Sequence, residues 1–209
     1  MPTSAPTASS NIFMDGFEAG NFSAWSGVSG GSHISVTPSA ALVGQQGMQA
    51  VINGNTPSYV EDGTPANESS YHARFYFNPH GTTTGGSATY IFTGLDAGGN
   101  EIFSVQYRTS GSKYQVRAGL LNRGRQSYTS WYTLSNAAHP IEIAWQSSAN
   151  ASFSLYIDGA LASTMNNKNT SSYLVDRVRM GPSGGLGSST SGSEYYDAFA
   201  STRTSYIGP

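Results

Sequence analysis

Residues 70–77 read SYHARFYF, and hydrophobic side chains occupy every second position of this stretch. The positions between them carry His72, Arg74 and Tyr76. Such alternation is typical of a β-strand that turns one face to a hydrophobic core and the other to solvent. An amphipathic helix would instead repeat its hydrophobic residues about every 3.6 positions. The stretch therefore predicts a half-buried strand.

The same period of two recurs along the chain. It is clearest in residues 101–108 (EIFSVQYR), 113–121 (KYQVRAGLL), 139–146 (HPIEIAWQ) and 152–158 (SFSLYID). Turn-forming residues, such as Asp158 followed by Gly159, separate these segments. A dozen or so short strands without a convincing helix predict an all-β fold of two antiparallel sheets packed as a sandwich. The low-complexity stretch 181–193 (GPSGGLGSSTSGS) is predicted to be a mobile loop.

Composition excludes several classes of protein. The 209 residues carry 10 Lys plus Arg and 12 Asp plus Glu, so the net charge of −2 gives no basic surface for duplex nucleic acid. No hydrophobic run approaches the roughly 18 residues of a membrane-spanning helix, so we expect no membrane insertion. The absence of cysteine removes disulfides, zinc–thiolate sites and cysteine nucleophiles together.

The beginning of the chain differs from the rest. Residues 1–11 (MPTSAPTASSN) have neither the basic segment nor the hydrophobic centre of a signal peptide, and their Pro, Thr, Ser and Ala are typical of a linker. We therefore predict a flexible linker or tail over residues 1–11 and a single sandwich domain over residues 12–209. Two interpretations stay open: the natural protein begins with a short flexible tail, or the chain is one module of a larger exported protein, and the second is favoured.

Three segments resemble known families. Residues 15–25 (DGFEAGNFSAW), followed by residues 41–51, resemble the opening of calcium-containing carbohydrate-binding modules. Residues 153–159 (FSLYIDG) resemble a hairpin of laminin-G-like and concanavalin A-like domains, and residues 195–199 (YYDAF) resemble the closing strand of both groups. The resemblance implies a two-sheet antiparallel jelly-roll sandwich. It does not specify a ligand, because such folds include lectins, lyases and structural spacers.

The resemblance also implies a structural calcium ion. Carried over position by position, its ligands are Glu18 and Asp197, with Asp15 and a carbonyl near Gln45 as further members. Calcium prefers carboxylate and carbonyl oxygens, and carboxylates are scarce in this chain. The alternative is that Asp15 starts a turn and that Asp197 is a solvated residue at a sheet edge.

The outward registers of the predicted strands carry planar hydrogen-bonding groups suited to sugars. Several are arginines, which suit carboxylated or sulfated sugars through paired N–H···O contacts. Trp131 is expected either at the rim of such a site or in the core. Whether these outward-facing residues lie on one sheet stays open at this point. The alternative is an ordinary solvated sheet face with ion pairs such as Arg117 and Glu142. The candidate ligand-binding residues are His72, Arg74, Tyr76, Gln106, Arg108, Gln115 and Arg117.

Enzymatic alternatives are less well supported by the sequence. A glycosidase on this fold needs two carboxylates on one strand face, and the chain has no such string. A polysaccharide lyase needs a Tyr or His beside an Arg or Gln. The chain has those residue types, but residues 104–108 (SVQYR) and 114–119 (YQVRAG) match the alginate lyase signatures poorly. A Ser–His–Asp hydrolase is not indicated, because no Gly-x-Ser-x-Gly elbow lies between a strand and a helix.

These observations favour a non-catalytic, extracellular polysaccharide-binding module with a structural calcium. The expected location is secreted or cell-surface, and the expected partners are a polysaccharide and other domains of a larger exported chain. The first alternative is a structural or adhesion jelly-roll domain of a surface protein without a sugar site. The second alternative is a polysaccharide lyase.

Overall fold

The stretch 70–77 lies in a strand whose burial alternates as the sequence predicts. In a computed structural model that describes residues 10–209, this strand, β6, spans Ser70–Asn78. Tyr71, Ala73, Phe75 and Phe77 are fully buried, whereas the residues that alternate with them are partly exposed. The prediction of an all-β sandwich of two antiparallel sheets is confirmed.

Sixteen strands form the two sheets among the described residues, and every pairing is antiparallel. The only helical elements in residues 10–209 are two short 3-10 helices. No helix among these residues is long and apolar enough to cross a membrane. The strands are β1 (Asn11–Asp15), β2 (Gly27–Ser29), β3 (Ile34–Thr37), β4 (Gly47–Asn53), β5 (Tyr59–Asp62), β6 (Ser70–Asn78), β7 (Thr89–Leu95), β8 (Glu101–Ser110), β9 (Lys113–Asn122), β10 (Arg125–Tyr128), β11 (Tyr132–Leu134), β12 (His139–Gln146), β13 (Ala151–Ile157), β14 (Ala160–Lys168), β15 (Arg177–Gly184) and β16 (Ser191–Thr202).

We call the two layers sheet A and sheet B. Sheet A has the order β14-β13-β12-β6-β16-β4-β3, and β1 also pairs with β16. Sheet B has the order β10-β9-β8-β7-β15-β5-β2, and β11 pairs with β9 beside β10. The first and last strands are therefore neighbours in sheet A. Residue 11, at the end of the predicted linker, begins β1, whereas residues 1–9 lie outside the described residues.

Aromatic side chains fill the space between the sheets. Phe75 of β6 packs on Phe92 of β7 with ring centroids 5.2 Å apart, and Tyr71 stacks on Phe103 of β8 at 6.2 Å. Rings of this size exclude much water, and removing one from a core costs about 3–5 kcal/mol. The core thus holds the two sheets face to face, and the outward side chains of each sheet form a separate surface.

The low-complexity stretch 181–193 is not one loop. Its first four residues complete β15 and its last three begin β16, so only residues 185–190 connect the strands. The prediction of a loop over the whole stretch is wrong because backbone pairing with β7 and β4 orders its ends.

Candidate functional site

The structure separates the predicted ligand-binding residues into two groups on opposite sides of the sandwich. His72, Arg74 and Tyr76 face outward from β6 in sheet A. The remaining four lie on the outer side of sheet B, on β8 and β9, where Gln106 is buried and the other three are partly exposed. One ligand chain lying on a single face can therefore contact only one of the groups.

The four residues on sheet B form two cross-strand pairs. The β8–β9 register places Gln106 opposite Arg117 and Arg108 opposite Gln115. Each arginine donates its Nε–H to the glutamine that it faces, at 2.9 Å for Arg117 and 3.1 Å for Arg108. The glutamines thus hold both guanidinium groups on this face without neutralising their charge.

Two aromatic rings pack against these guanidinium groups. The Trp131 ring centre lies 4.1 Å from the Arg108 guanidinium carbon and 4.5 Å from that of Arg117, and Tyr128 lies 3.8 Å from the latter. A Cβ on Gly119 would approach Tyr128 to 2.9 Å, so the glycine leaves room for the ring. Trp131 is half-buried, as expected for a rim position. Sequence reasoning missed Tyr128, because β10 is too short to show a clear alternation.

The two arginines carry uncompensated positive charge. Within residues 10–209, no carboxylate oxygen lies within 4.0 Å of either guanidinium group. Burial lowers the pKa of Arg117, and the neighbouring charge of Arg108 acts in the same direction while Tyr128 opposes it. Burial also raises the pKa of Tyr90, which faces Gln106, so this hydroxyl stays protonated at neutral pH. We call Gln106, Arg108, Gln115, Arg117, Tyr128 and Trp131 the arginine–aromatic cluster.

On the other half of this face, two arginines share one carboxylate. Arg179 on β15 donates to Glu61 on β5 at 2.7 Å and lies 4.7 Å from the Tyr59 ring centre. Arg177 lies 3.9 Å from the same carboxylate. Arg108 and Arg117 on β8 and β9 thus differ from the arginines of β15, which have a carboxylate within 4.0 Å.

The outer face of sheet A is partly covered by the end of the chain. Glu142 accepts hydrogen bonds from the backbone N–H groups of Ile207 and Gly208, at 2.9 and 3.0 Å. Burial raises the pKa of Glu142, although these N–H groups and Arg74 act in the opposite direction. Burial lowers the pKa of His72, so this imidazole is neutral at neutral pH. A recess of about 190 Å³ next to His72 is lined mostly by polar residues of β6, β12 and β13.

Arg117 and Glu142 do not form an ion pair, because they lie on opposite sheets and face away from each other. That example of a pair is therefore wrong, whereas the alternative of an ordinary solvated face stays a prediction, and Arg179 and Glu61 form a pair of the kind that it expects.

The predicted calcium ligands meet near the loop of residues 41–46. Asp197 accepts from the N–H groups of Leu42 and Val43 at 2.8 and 2.9 Å, and Glu18 accepts from that of Gln45 at 2.9 Å. Burial raises the pKa of Asp197, and the nearby charge of Glu18 raises it further. Asp197 is fully buried, so the alternative of a solvated edge residue is wrong.

Asp15 is engaged elsewhere. Its carboxylate accepts from the Trp25 indole at 2.7 Å and from the Phe17 N–H at 3.1 Å, so it both starts a turn and anchors a buried ring. In the described part of the chain, no group of three or more His, Asp or Glu side chains is placed to share a metal ion. The donors that fit calcium here are the carboxylates of Glu18 and Asp197, and the ion stays a prediction.

Comparison with known proteins identifies the fold. No protein-family model matches the chain, and no curated protein sequence matches it significantly. Among solved structures, an endo-β-1,4-glucuronan lyase from the fungus Trichoderma reesei is 14% identical, with 93% of this chain and 96% of that chain covered and a TM-score of 0.70. The cellulose-induced protein Cip1 is 13% identical, with 92% and 97% covered and a TM-score of 0.66.

An alginate lyase, Aly36B, solved in complex with an alginate trisaccharide, is 9% identical over 94% of this chain and 99% of that chain, with a TM-score of 0.63. Likenesses at such low identity show the fold alone. The chain is thus a jelly-roll sandwich that shares its fold with these proteins. The closer resemblance to calcium-containing binding modules stays a prediction.

Proposed function

We propose that this chain is a polysaccharide-binding module, in which the outer face of sheet B holds an acidic polysaccharide without catalysing its cleavage. The observation that carries the proposal is the pair of unneutralised arginines, Arg108 and Arg117, oriented by glutamines and packed against aromatic rings. Similarity to proteins that act on polysaccharides supports a carbohydrate ligand.

The chemistry of the arginine–aromatic cluster fits a uronate or sulfated sugar. Each guanidinium uses its Nε–H on a glutamine, so its terminal N–H groups remain free to donate to a carboxylate or sulfate. An anion between Arg108 and Arg117 would relieve their mutual repulsion. Trp131 and Tyr128 offer flat faces against which a sugar ring can stack.

Affinity electrophoresis and calorimetry with a polyuronate and with a neutral glucan test this proposal. We expect selective binding of the polyuronate, and a loss of about tenfold or more in affinity for Arg117→Ala or Trp131→Ala. Arg125→Ala is the matched control, because Arg125 is an exposed arginine of neighbouring β10 outside the cluster. Its affinity should match that of the wild type.

Three outcomes would contradict the proposal. Equal losses in Arg117→Ala and Arg125→Ala would indicate general charge attraction. A loss confined to Arg74→Ala would place the ligand on sheet A, with His72 and Tyr76. No binding by the folded protein would favour the structural or adhesion domain.

A polysaccharide lyase is the second candidate, favoured by the glucuronan and alginate lyases that match almost the full chain. Tyr128, beside Arg117, is the residue of the cluster that could move a proton. Incubation with glucuronan or alginate would then generate unsaturated uronate ends, detected by ultraviolet absorbance, and Tyr128→Phe would abolish the signal. Binding without any such product supports the non-catalytic module.

Two further parts of the proposal concern the setting of the module. A calcium ion held by Glu18 and Asp197 would neutralise two carboxylates that otherwise accept only from neutral N–H groups. A module that binds polysaccharide would act where such polymers occur, as a secreted or cell-surface protein beside other domains. Detection of the native protein in cell fractions tests the location.

A further inference from the structure

A serine, a histidine and an aspartate form a hydrogen-bonded chain at one end of the sandwich, away from the arginine–aromatic cluster. His139 Nδ1 lies 2.8 and 2.9 Å from the two carboxylate oxygens of Asp158. His139 Nε2 lies 2.9 Å from Ser135 Oγ. The histidine is buried, whereas Ser135 is exposed.

The protonation pattern follows from the partners. A carboxylate can only accept, so the proton of a neutral imidazole lies on Nδ1, toward Asp158. Nε2 is then an acceptor for the Ser135 hydroxyl, which is the arrangement of an activated nucleophile. Nε2 also lies 3.3 Å from the carbonyl oxygen of Ser135, which can accept a hydrogen bond once Nε2 is protonated.

Backbone contacts hold two of the three residues, His139 and Asp158, next to each other. Asp158 and Gly159 form the tight turn between β13 and β14, and both have positive φ, at 54° and 76°. The Asp158 N–H donates to the carbonyl of Pro140, next to His139, at 2.9 Å. This backbone contact and the tight turn place Asp158 next to His139.

The geometry points to a second activity: Ser135 is a nucleophile for a carboxylic ester, with His139 as general base and Asp158 as the residue that positions the imidazole. Ser135 Oγ bonds to the ester carbonyl carbon while its proton passes to His139 Nε2. The bond between that carbon and the alcohol oxygen then breaks, and the alcohol leaves with the proton. Water, deprotonated by the same nitrogen, releases the carboxylic acid and restores Ser135.

As part of this proposal, we assign the side-chain amide of Asn136, the residue after the serine, as the donor to the negative oxygen that develops during the reaction. Asn136 accepts from the Gly81 N–H at 2.8 Å through Oδ1, and its Nδ2 donates to no residue within the described range. One such donor contributes about 10²–10³-fold to the rate of acyl transfer. The open position of Ser135 suits a small acyl group carried by a large molecule.

Labelling with a fluorophosphonate probe, read by intact mass and peptide mapping, tests the inference. We expect a single adduct on Ser135 in the wild type, no adduct in Ser135→Ala, and wild-type labelling in Ser23→Ala, a control at another exposed serine. Hydrolysis of p-nitrophenyl acetate should follow the same order. Asn136→Asp keeps the acceptor for Gly81 and should lower that hydrolysis about 100-fold.

Asp158→Asn separates positioning from folding, because Asn-Gly also favours this turn and should preserve the melting temperature. We expect labelling to slow by about 100-fold or more, and Asp158→Glu to recover part of the rate. A folded wild type that is not labelled would overturn the inference. Labelling that persists in Ser135→Ala would also overturn it. So would an Asp158→Asn variant that changes only the melting temperature, and the three residues would then serve only as a structural contact between the ends of β11 and β13.

Discussion

At the scale of single residues, the least expected group is a carboxyl in the core. Glu194 is fully buried and accepts a hydrogen bond from the Tyr196 hydroxyl, while its Oε1 has no partner among the described residues. Burial raises its pKa to about 7, although the contact with Tyr196 acts in the opposite direction. The group therefore retains its proton in the folded protein at pH values where the unfolded chain has lost it.

This residue predicts a fall in stability as the pH rises. The folded protein binds one more proton than the unfolded chain between about pH 4.5 and pH 7, so the free energy of unfolding decreases across that window and levels off above it. The contribution of Glu194 to this decrease in the free energy of unfolding is on the order of 3 kcal/mol. Glu194→Gln should flatten this dependence in urea melts from pH 4 to pH 8, and an unchanged slope would contradict it.

At the scale of strands, Gly94 leaves space for the ring of a core phenylalanine on the neighbouring strand. A Cβ on Gly94 in β7 would lie 2.2 Å from the ring of buried Phe103 in β8. Gly27 in β2 is the control, because a Cβ there would approach its nearest neighbour, Glu61, only to 3.5 Å. Gly94→Ala should therefore destabilise the protein by about 1–3 kcal/mol or more in chemical denaturation. Gly27→Ala should stay close to the wild type, and equal effects of the two changes would be inconsistent with this packing.

Strand pairing also explains why the site could be predicted only in part. The alternation in β8 and β9 placed Gln106 and Arg117 on outward registers from local sequence alone. Their hydrogen bond depends on the register between the two strands. A shift of one residue would turn every outward side chain of a strand inward, and short-range patterns do not set that register with certainty.

At the scale of the whole molecule, the first and last strands are neighbours beside the proposed calcium site. Glu18 follows β1, Asp197 lies in β16, and both bind N–H groups of the loop of residues 41–46. An ion that binds only the folded form stabilises it by about 2.7 kcal/mol at a free concentration one hundred times its dissociation constant. Calcium should therefore raise the melting temperature, and a chelator should lower it again.

Asp197→Asn should abolish this response, whereas Asp176→Asn, in the loop before β15, should keep it. Magnesium in place of calcium controls for ionic strength. Identical melting temperatures with calcium and with chelator would refute a structural ion, and the carboxylates would then act only as acceptors for the loop.

The sequence by itself determined the fold class and the sidedness of the strands. Alternating hydrophobic residues, turn residues and low charge are local properties, and burial of one strand face follows directly from them. The tertiary structure alone decided which outward-facing residues share a surface. It placed Arg74 and Arg117 on opposite sheets and brought Trp131 over two arginines. It also buried Glu194 and joined Ser135 to Asp158 through His139. These arrangements depend on pairings between residues far apart in the chain, and a period of two carries no information about the partner of a strand.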